Sequence, residues 1–81
     1  MKIPFFIQEF TNEMEEAAIF ALRNESFVGG ESVTKFEEEF AEYTGTKYAV
    51  SVSSGNSALQ ISLMALGISN KSKVVTPTNS F

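Results

Sequence analysis

The apolar residues in the first half of the chain recur at helical spacing in two segments. Over residues 11–25 and 32–44 they lie three or four positions apart, which predicts two amphipathic α-helices, each with one buried face. Asn12, with Glu15 three residues later, is the predicted N-cap of the first helix. Gly45 lies where a left-handed C-terminal cap would end the second. The two apolar stripes are Met14, Ala17, Ala18, Ala21 and Leu22, and Val33, Phe36, Phe40 and Tyr43.

The second half of the chain has the pattern of a β-α-β unit. Residues 48–52 and 73–76 are short β-rich runs, and residues 57–66 between them have helical periodicity. Gly67 would close this helix. Pro77 would end the second strand, because proline has no N–H to donate to a ladder. The predicted fold class is α/β, with N-terminal helices followed by a β-α-β unit.

Two segments outside these elements have a character of their own. Residues 1–10 are apolar and aromatic without a helical or strand period, which indicates an arm that lies on another surface. Gly29 and Gly30 form a hinge-like connection, because adjacent glycines permit backbone conformations that a side chain would forbid. The chain is therefore predicted to consist of an arm, 1–10, and one partial domain, 11–81.

The junction between the first predicted strand and the third helix is the candidate binding site. The first turn of a helix leaves backbone N–H groups unpaired at the positive end of its dipole, where phosphate binds readily. Gly55 would let the main chain approach such a ligand, and Ser54, Asn56 and Ser57 carry short polar side chains. An ordinary turn with a Ser or Asn cap is the alternative. The polar loop after residues 73–76 would lie at the same sheet edge, which favours phosphate.

Composition narrows the chemistry that the chain can perform. It contains no cysteine and no histidine, which excludes disulfides, zinc-finger ligands and Cys–His or Ser–His pairs. All acidic residues are glutamates between Glu9 and Glu42, and the net charge is −4. The few basic residues are not clustered, so no nucleic-acid partner is predicted. The run 37–39 is better explained as a solvated helix face than as a metal site.

Size and hydropathy set limits on stability and location. The 81 residues correspond to at most one small domain, which buries only about 60% of its unfolded surface and needs a partner or a staple. No signal sequence opens the chain, and no apolar run is long enough to cross a bilayer. We therefore expect a soluble, cytoplasmic protein without a membrane partner.

Four segments that follow one another along the chain have the order and composition of one known family. They are residues 29–30, 36–50, 53–59 and 74–81. Together they resemble the N-terminal part of the DegT/DnrJ/EryC1/StrS aminotransferases. These are pyridoxal phosphate (PLP) enzymes of fold type I that place an amino group on nucleotide-linked keto-sugars. The resemblance covers nearly the whole chain and implies that it is part of the large domain of such an enzyme.

The resemblance implies a cofactor role for four residues. Gly55, Asn56 and Ser57 match the turn that holds the PLP phosphate, although the family usually has threonine at the position of Asn56. Phe81 matches an aromatic residue that stacks on the pyridine ring. The alternative for Phe81 is a terminal hydrophobic residue without a role.

The resemblance also concerns the substrate side and the sheet. Gly29 and Gly30 match a loop that borders the substrate, with Glu31 in place of a frequent proline. In fold type I the strands that match 48–52 and 73–76 are not neighbours, so each would lack its partners here. Members of the family are generally homodimers, which implies a homo-oligomer.

The catalytic residues of the family have no match in this chain. Transamination requires a lysine that binds the cofactor covalently and a carboxylate on the pyridinium nitrogen, and both lie beyond Phe81 in the family. The chain has no aspartate, and none of its lysines matches. We therefore expect an inactive fragment of an enzyme that transfers an amino group from a donor to nucleotide-linked keto-sugars. The expected donor is glutamate. The alternative is a non-catalytic module that binds a phosphorylated ligand or assembles with other chains. The lysines are Lys2, Lys35, Lys47, Lys71 and Lys73.

Overall fold

Three helices make up the secondary structure of residues 1–80, which are the residues that the computed structural model describes. They are α1 (Asn12–Asn24), α2 (Glu31–Thr44) and α3 (Gly55–Ala65), and their ends differ by at most two residues from those that the apolar period predicts. The chain divides into two compact units. Met1–Val50 contains α1 and α2, and Ser51–Phe81 contains α3.

The N-cap of α1 is Thr11, so the prediction of Asn12 as the cap is wrong by one residue. Thr11 has extended backbone, and its Oγ1 accepts a hydrogen bond of 3.2 Å from the backbone N–H of Met14. The Thr11 carbonyl oxygen accepts another from the N–H of Glu15, at 3.1 Å. Threonine and asparagine are both suitable caps, and the sequence places them next to each other. The periodicity alone could not choose between them.

The C-terminal cap of α2 is Gly45, as predicted. Its φ of 71° and ψ of 21° lie in the left-handed region that glycine adopts without strain. Its N–H donates to the carbonyl oxygen of Glu42 at 3.1 Å, and the N–H of Thr46 donates to that of Ala41 at 3.0 Å. These two bonds satisfy carbonyl groups that the end of the helix would leave unpaired.

The predicted β-α-β unit is absent from the described residues, which contain no strand. Residues 48–52 and 73–76 have no regular structure there. A helix pairs its backbone groups within one segment, whereas a strand needs a second strand beside it. The helical parts of the prediction could therefore form from local sequence, and the sheet could not.

The apolar helix faces are not buried, which corrects a second prediction. In the first unit the buried residues are Gly30 and Ala41, and among residues 51–80 none is buried. Phe36 and Phe40 pack against each other on α2 with ring centroids 5.6 Å apart, yet they remain 57% and 47% exposed. The predicted arm, residues 1–10, is exposed throughout. In the described residues the apolar stripes of the helices thus have no covering layer.

Candidate functional site

The start of α3 is built around the side chain of Ser54. This residue is the N-cap, with extended backbone at φ −162° and ψ 161°. Its Oγ accepts a hydrogen bond of 3.1 Å from the N–H of Ser57, and its carbonyl oxygen accepts one of 3.0 Å from the N–H of Ala58. The alternative interpretation of this turn, a helix capped by serine, is therefore part of the structure.

Three serine hydroxyls meet at the same turn. The Oγ of Ser54 donates to the Oγ of Ser57 at 3.1 Å, and the Oγ of Ser53 lies 3.3 Å from that of Ser57. A hydroxyl has one donor and two acceptor positions, so Ser54 can accept from the Ser57 N–H while it donates to the Ser57 hydroxyl. Ser57 is half-buried, and its own hydroxyl hydrogen can turn to Ser53 or to an anion.

Two backbone donors on this turn remain open. Within residues 1–80 the N–H groups of Gly55 and Asn56 have no hydrogen-bond partner. A Cβ added at Gly55 would have no atom within 4 Å outside the local chain, and the φ of Gly55 is not positive. Neither backbone conformation nor a protein neighbour therefore requires glycine at this position. The space is suited to an anionic oxygen group that approaches the positive end of the helix.

The charge of the second unit is compatible with an anion at this turn. Residues 51–80 contain no acidic side chain, and their formal charges come from Lys71 and Lys73. Negatively charged side chains would repel a phosphate group, and residues 51–80 contain none. The turn at Gly55, Asn56 and Ser57 therefore has free donors, open space and favourable charge, so these residues fit a phosphate group.

The connection between α1 and α2 contains the other predicted site residues, Gly29 and Gly30. Gly29 has a φ of 63°, which favours glycine. Gly30 is buried, and a Cβ added to it would lie 2.8 Å from the carbonyl oxygen of Ser26 and 2.9 Å from Oε2 of Glu25. Gly29 is thus required by conformation and Gly30 by close packing.

Glu25 is the residue at this connection that sequence reasoning missed. Its Oε2 accepts a hydrogen bond of 3.0 Å from the backbone N–H of Ser32, and its Oε1 accepts one of 2.7 Å from the Ser32 hydroxyl. These bonds, that of the backbone N–H first, hold the pKa of the Glu25 carboxyl below its ordinary value of 4.5. The available signal was Gly30 itself, because a glycine at an N-cap leaves the helix without a side-chain acceptor.

The structure brings together three of the six predicted site residues in the first turn of α3, namely Gly55, Asn56 and Ser57. Gly29 and Gly30 lie next to each other in the other compact unit. Phe81 lies outside the described residues. In the described part of the chain, no group of three or more acidic side chains could hold a metal ion. Across the same residues, no helix combines the length and the apolar character needed to span a membrane.

The sequence of the chain matches one family over most of its length. The model of the DegT/DnrJ/EryC1/StrS aminotransferase family matches residues 8–81, and the chain belongs to this family. No solved structure matches the chain significantly.

Three curated relatives illustrate the match. The UDP-2-acetamido-2-deoxy-3-oxo-D-glucuronate aminotransferase of Pseudomonas aeruginosa is 41% identical over 69% of this chain and 16% of its own length. A UDP-4-amino-4,6-dideoxy-N-acetyl-beta-L-altrosamine transaminase of Campylobacter jejuni is 42% identical over 76% of this chain and 16% of its own. The dTDP-3-amino-3,4,6-trideoxy-alpha-D-glucose transaminase of Streptomyces venezuelae is 33% identical over 99% and 22%. The match thus covers only about a sixth to a fifth of the length of these relatives.

Proposed function

We propose that this chain is the N-terminal part of a cytoplasmic, PLP-dependent aminotransferase that acts on nucleotide-linked keto-sugars in amino-sugar biosynthesis. The observation that carries the proposal is the family match over residues 8–81. The names of the relatives supply the substrate class, since each contains a UDP- or dTDP-linked sugar and the word aminotransferase or transaminase.

Within this reaction, the role of the present chain is to bind the phosphate group of the cofactor. The free N–H groups of Gly55 and Asn56 would donate to phosphate oxygens, and the Ser57 hydroxyl would add a third donor. When bound, PLP supplies the electron sink that lets an amino group move between donor and sugar. Phe81 would pack against its pyridine ring. The lysine and the carboxylate that PLP chemistry requires would come from other parts of the protein.

The exposed apolar surfaces support an origin in a larger enzyme. Phe5 is 107% exposed, Phe27 83% and Leu59 68%, and exposed apolar surface of this extent usually marks an interface. In the complete protein these side chains would lie against further segments or a second subunit of a homodimer. In that protein, residues 48–52 and 73–76 would each form a strand of the large-domain sheet and pair with strands from other parts of the chain.

The first experiment uses the protein encoded by the complete reading frame that contains these residues. Purified protein is mixed with PLP and then L-glutamate, and the half-reaction is followed by the change in cofactor absorbance. We expect transfer of the amino group from glutamate. The 81-residue chain alone should give none and should be poorly folded or oligomeric. Cooperative melting of the isolated chain as a monomer would instead support the alternative, a non-catalytic module.

A paired substitution tests the phosphate turn. Gly55→Val places a branched side chain in the open space at the start of α3, where nothing in the protein would clash with its Cβ. We expect the affinity for PLP and for inorganic phosphate to fall at least about tenfold, with helix content retained. Gln60→Val introduces the same residue at an exposed position of α3 and should leave both affinities unchanged. Unchanged affinities in Gly55→Val would refute the assigned turn.

A further inference from the structure

The start of α2 differs from those of the other two helices because its cap has no side chain. Thr11 and Ser54 each accept a hydrogen bond from a backbone N–H in the first turn of their own helix. Gly30 cannot do this for α2. The N–H groups of a first helical turn need acceptors from outside the helix. For the N–H of Ser32, that acceptor is Glu25, seven residues earlier in the chain.

The contact between Glu25 and Ser32 consists of two hydrogen bonds to a negatively charged carboxylate. Oε2 binds the backbone N–H and Oε1 binds the hydroxyl, so both carboxylate oxygens are oriented by the same residue. The carboxylate also places a negative charge at the positive end of α2, where it is favoured. Hydrogen bonds to an ionised acceptor are stronger than those between neutral groups. Glu25 therefore ties the end of α1 to the start of α2.

The turn between these two residues is packed directly against the same carboxylate. A side chain on Gly30 would come within 2.9 Å of Oε2 of Glu25, and the left-handed Gly29 precedes it. Within the same turn, the Oγ of Ser26 donates to the carbonyl oxygen of Val28 at 3.0 Å. The conformation of Gly29 and Gly30 is thus coupled to the position of the Glu25 carboxylate.

We propose that Glu25 is a positioning residue that holds the Gly29–Gly30 turn in the conformation required to bind the nucleotide-sugar, through its two hydrogen bonds to Ser32. This inference rests on the proposed function and on the resemblance to the family, in which Gly29 and Gly30 match a loop that borders the substrate. Without the carboxylate the turn would sample other conformations. The apparent dissociation constant of a ligand rises in inverse proportion to the fraction of protein that is competent to bind it. Loss of Glu25 should therefore weaken nucleotide-sugar binding without slowing chemistry that does not use the sugar.

The test uses the protein encoded by the complete reading frame, loaded with PLP. Binding of UDP-N-acetylglucosamine, dTDP-glucose and GDP-mannose is measured by calorimetry. The probe that binds most tightly is then used for all variants. For Glu25→Ala we expect a rise of about fivefold or more in its dissociation constant, as for a fall of the competent fraction to about 0.2. The rate of the half-reaction at saturating glutamate should stay within about twofold. Amide exchange at Ser32 and Val33 should become faster.

Three further variants separate positioning from general stability. Glu25→Gln keeps an amide oxygen for the Ser32 N–H and an amide N–H₂ for its hydroxyl, so it should restore part of the affinity. Ser32→Ala removes only the bond to Oε1 and should have a smaller effect than Glu25→Ala. Glu38→Ala removes the same charge from an exposed position of α2 and should change neither binding nor exchange.

The outcomes distinguish this inference from the proposal on which it rests. If the wild-type protein binds a probe and Glu25→Ala binds it equally well, the inference is overturned and the proposed function stands. An equal loss in Glu25→Ala and Glu38→Ala, or no rescue by Glu25→Gln, would also overturn it. A wild-type protein that binds none of the probes and does not react with glutamate would overturn both.

Discussion

The starts of α2 and α3 both carry a glycine that the sequence singles out, and the two glycines are there for opposite reasons. At α2 a side chain on Gly30 would collide with the Ser26 carbonyl oxygen and the Glu25 carboxylate. At α3 a side chain on Gly55 would meet no other atom. At the start of α2 the Glu25 carboxylate accepts from the N–H of Ser32, whereas at the start of α3 the N–H groups of Gly55 and Asn56 have no partner within residues 1–80. Packing therefore explains the glycine at position 30, whereas the glycine at position 55 leaves room for a ligand.

The largest effect should come from the substitution that fills the closed start of α2. In Gly30→Ala the new methyl group would lie 2.8 Å from a backbone oxygen, so the turn has to move. Overpacking of this kind costs about 1–3 kcal/mol. Gly55→Ala adds the same methyl group to open space in a helical turn and should change stability by less than about 1 kcal/mol, in the stabilising direction. Denaturant midpoints of the protein encoded by the complete reading frame give both values.

Gly29→Ala serves as the control for conformational strain. Its φ of 63° disfavours a side chain, but no atom lies within 4 Å of the added Cβ. The expected cost is roughly 1–2 kcal/mol, from the backbone alone. If Gly30→Ala and Gly55→Ala have equal midpoints, the contrast between the two helix starts is wrong.

A smaller effect is expected from removal of the local cap of α3. Ser54→Ala deletes the acceptor of the Ser57 N–H and should destabilise the protein by about 1 kcal/mol. Ser53→Ala is the matched control, because it removes only a hydroxyl contact of 3.3 Å and no helix cap. Thermal melting of the two variants provides the measurement. A larger loss in Ser53→Ala would show that the hydroxyl cluster, and not the cap, stabilises this turn.

The parts of the fold that the sequence predicts well depend on neighbours within a few residues. The three helices and the left-handed Gly45 are of this kind, because their hydrogen bonds close within the segment itself. The strands at 48–52 and 73–76 need a partner from elsewhere in the chain, and periodicity carries no information about whether one is present. Burial of the helix faces fails as a prediction for the same reason, since it requires a second layer.

The candidate site shows the same division. The open N–H groups of Gly55 and Asn56 follow from the general properties of a helix start, and the residue pattern was enough to indicate them. The contact between Glu25 and Ser32 bridges seven residues across an irregular turn, for which no simple period exists. The glycine at the N-cap of α2 indicates that an acceptor is needed, but only the structure shows that Glu25 supplies it.

The smallest expected effect is a local dependence on pH at one of the two helix starts. The pKa of the Glu25 carboxyl lies below 4.5 in the folded protein, so the unfolded chain takes up the proton first as the pH falls. The contribution of the carboxylate to stability is therefore complete above about pH 4.5 and is lost as the pH falls through the lower, folded pKa. The Ser54 hydroxyl, which caps α3, does not titrate in this range. Amide NMR shifts between pH 6 and the acid limit of folding should move at Ser32 and stay constant at Ser57. In Glu25→Gln the amide chemical shift of Ser32 should no longer change with pH. If it still changes in this variant, another group titrates, and the contrast between the starts of α2 and α3 loses its physical basis.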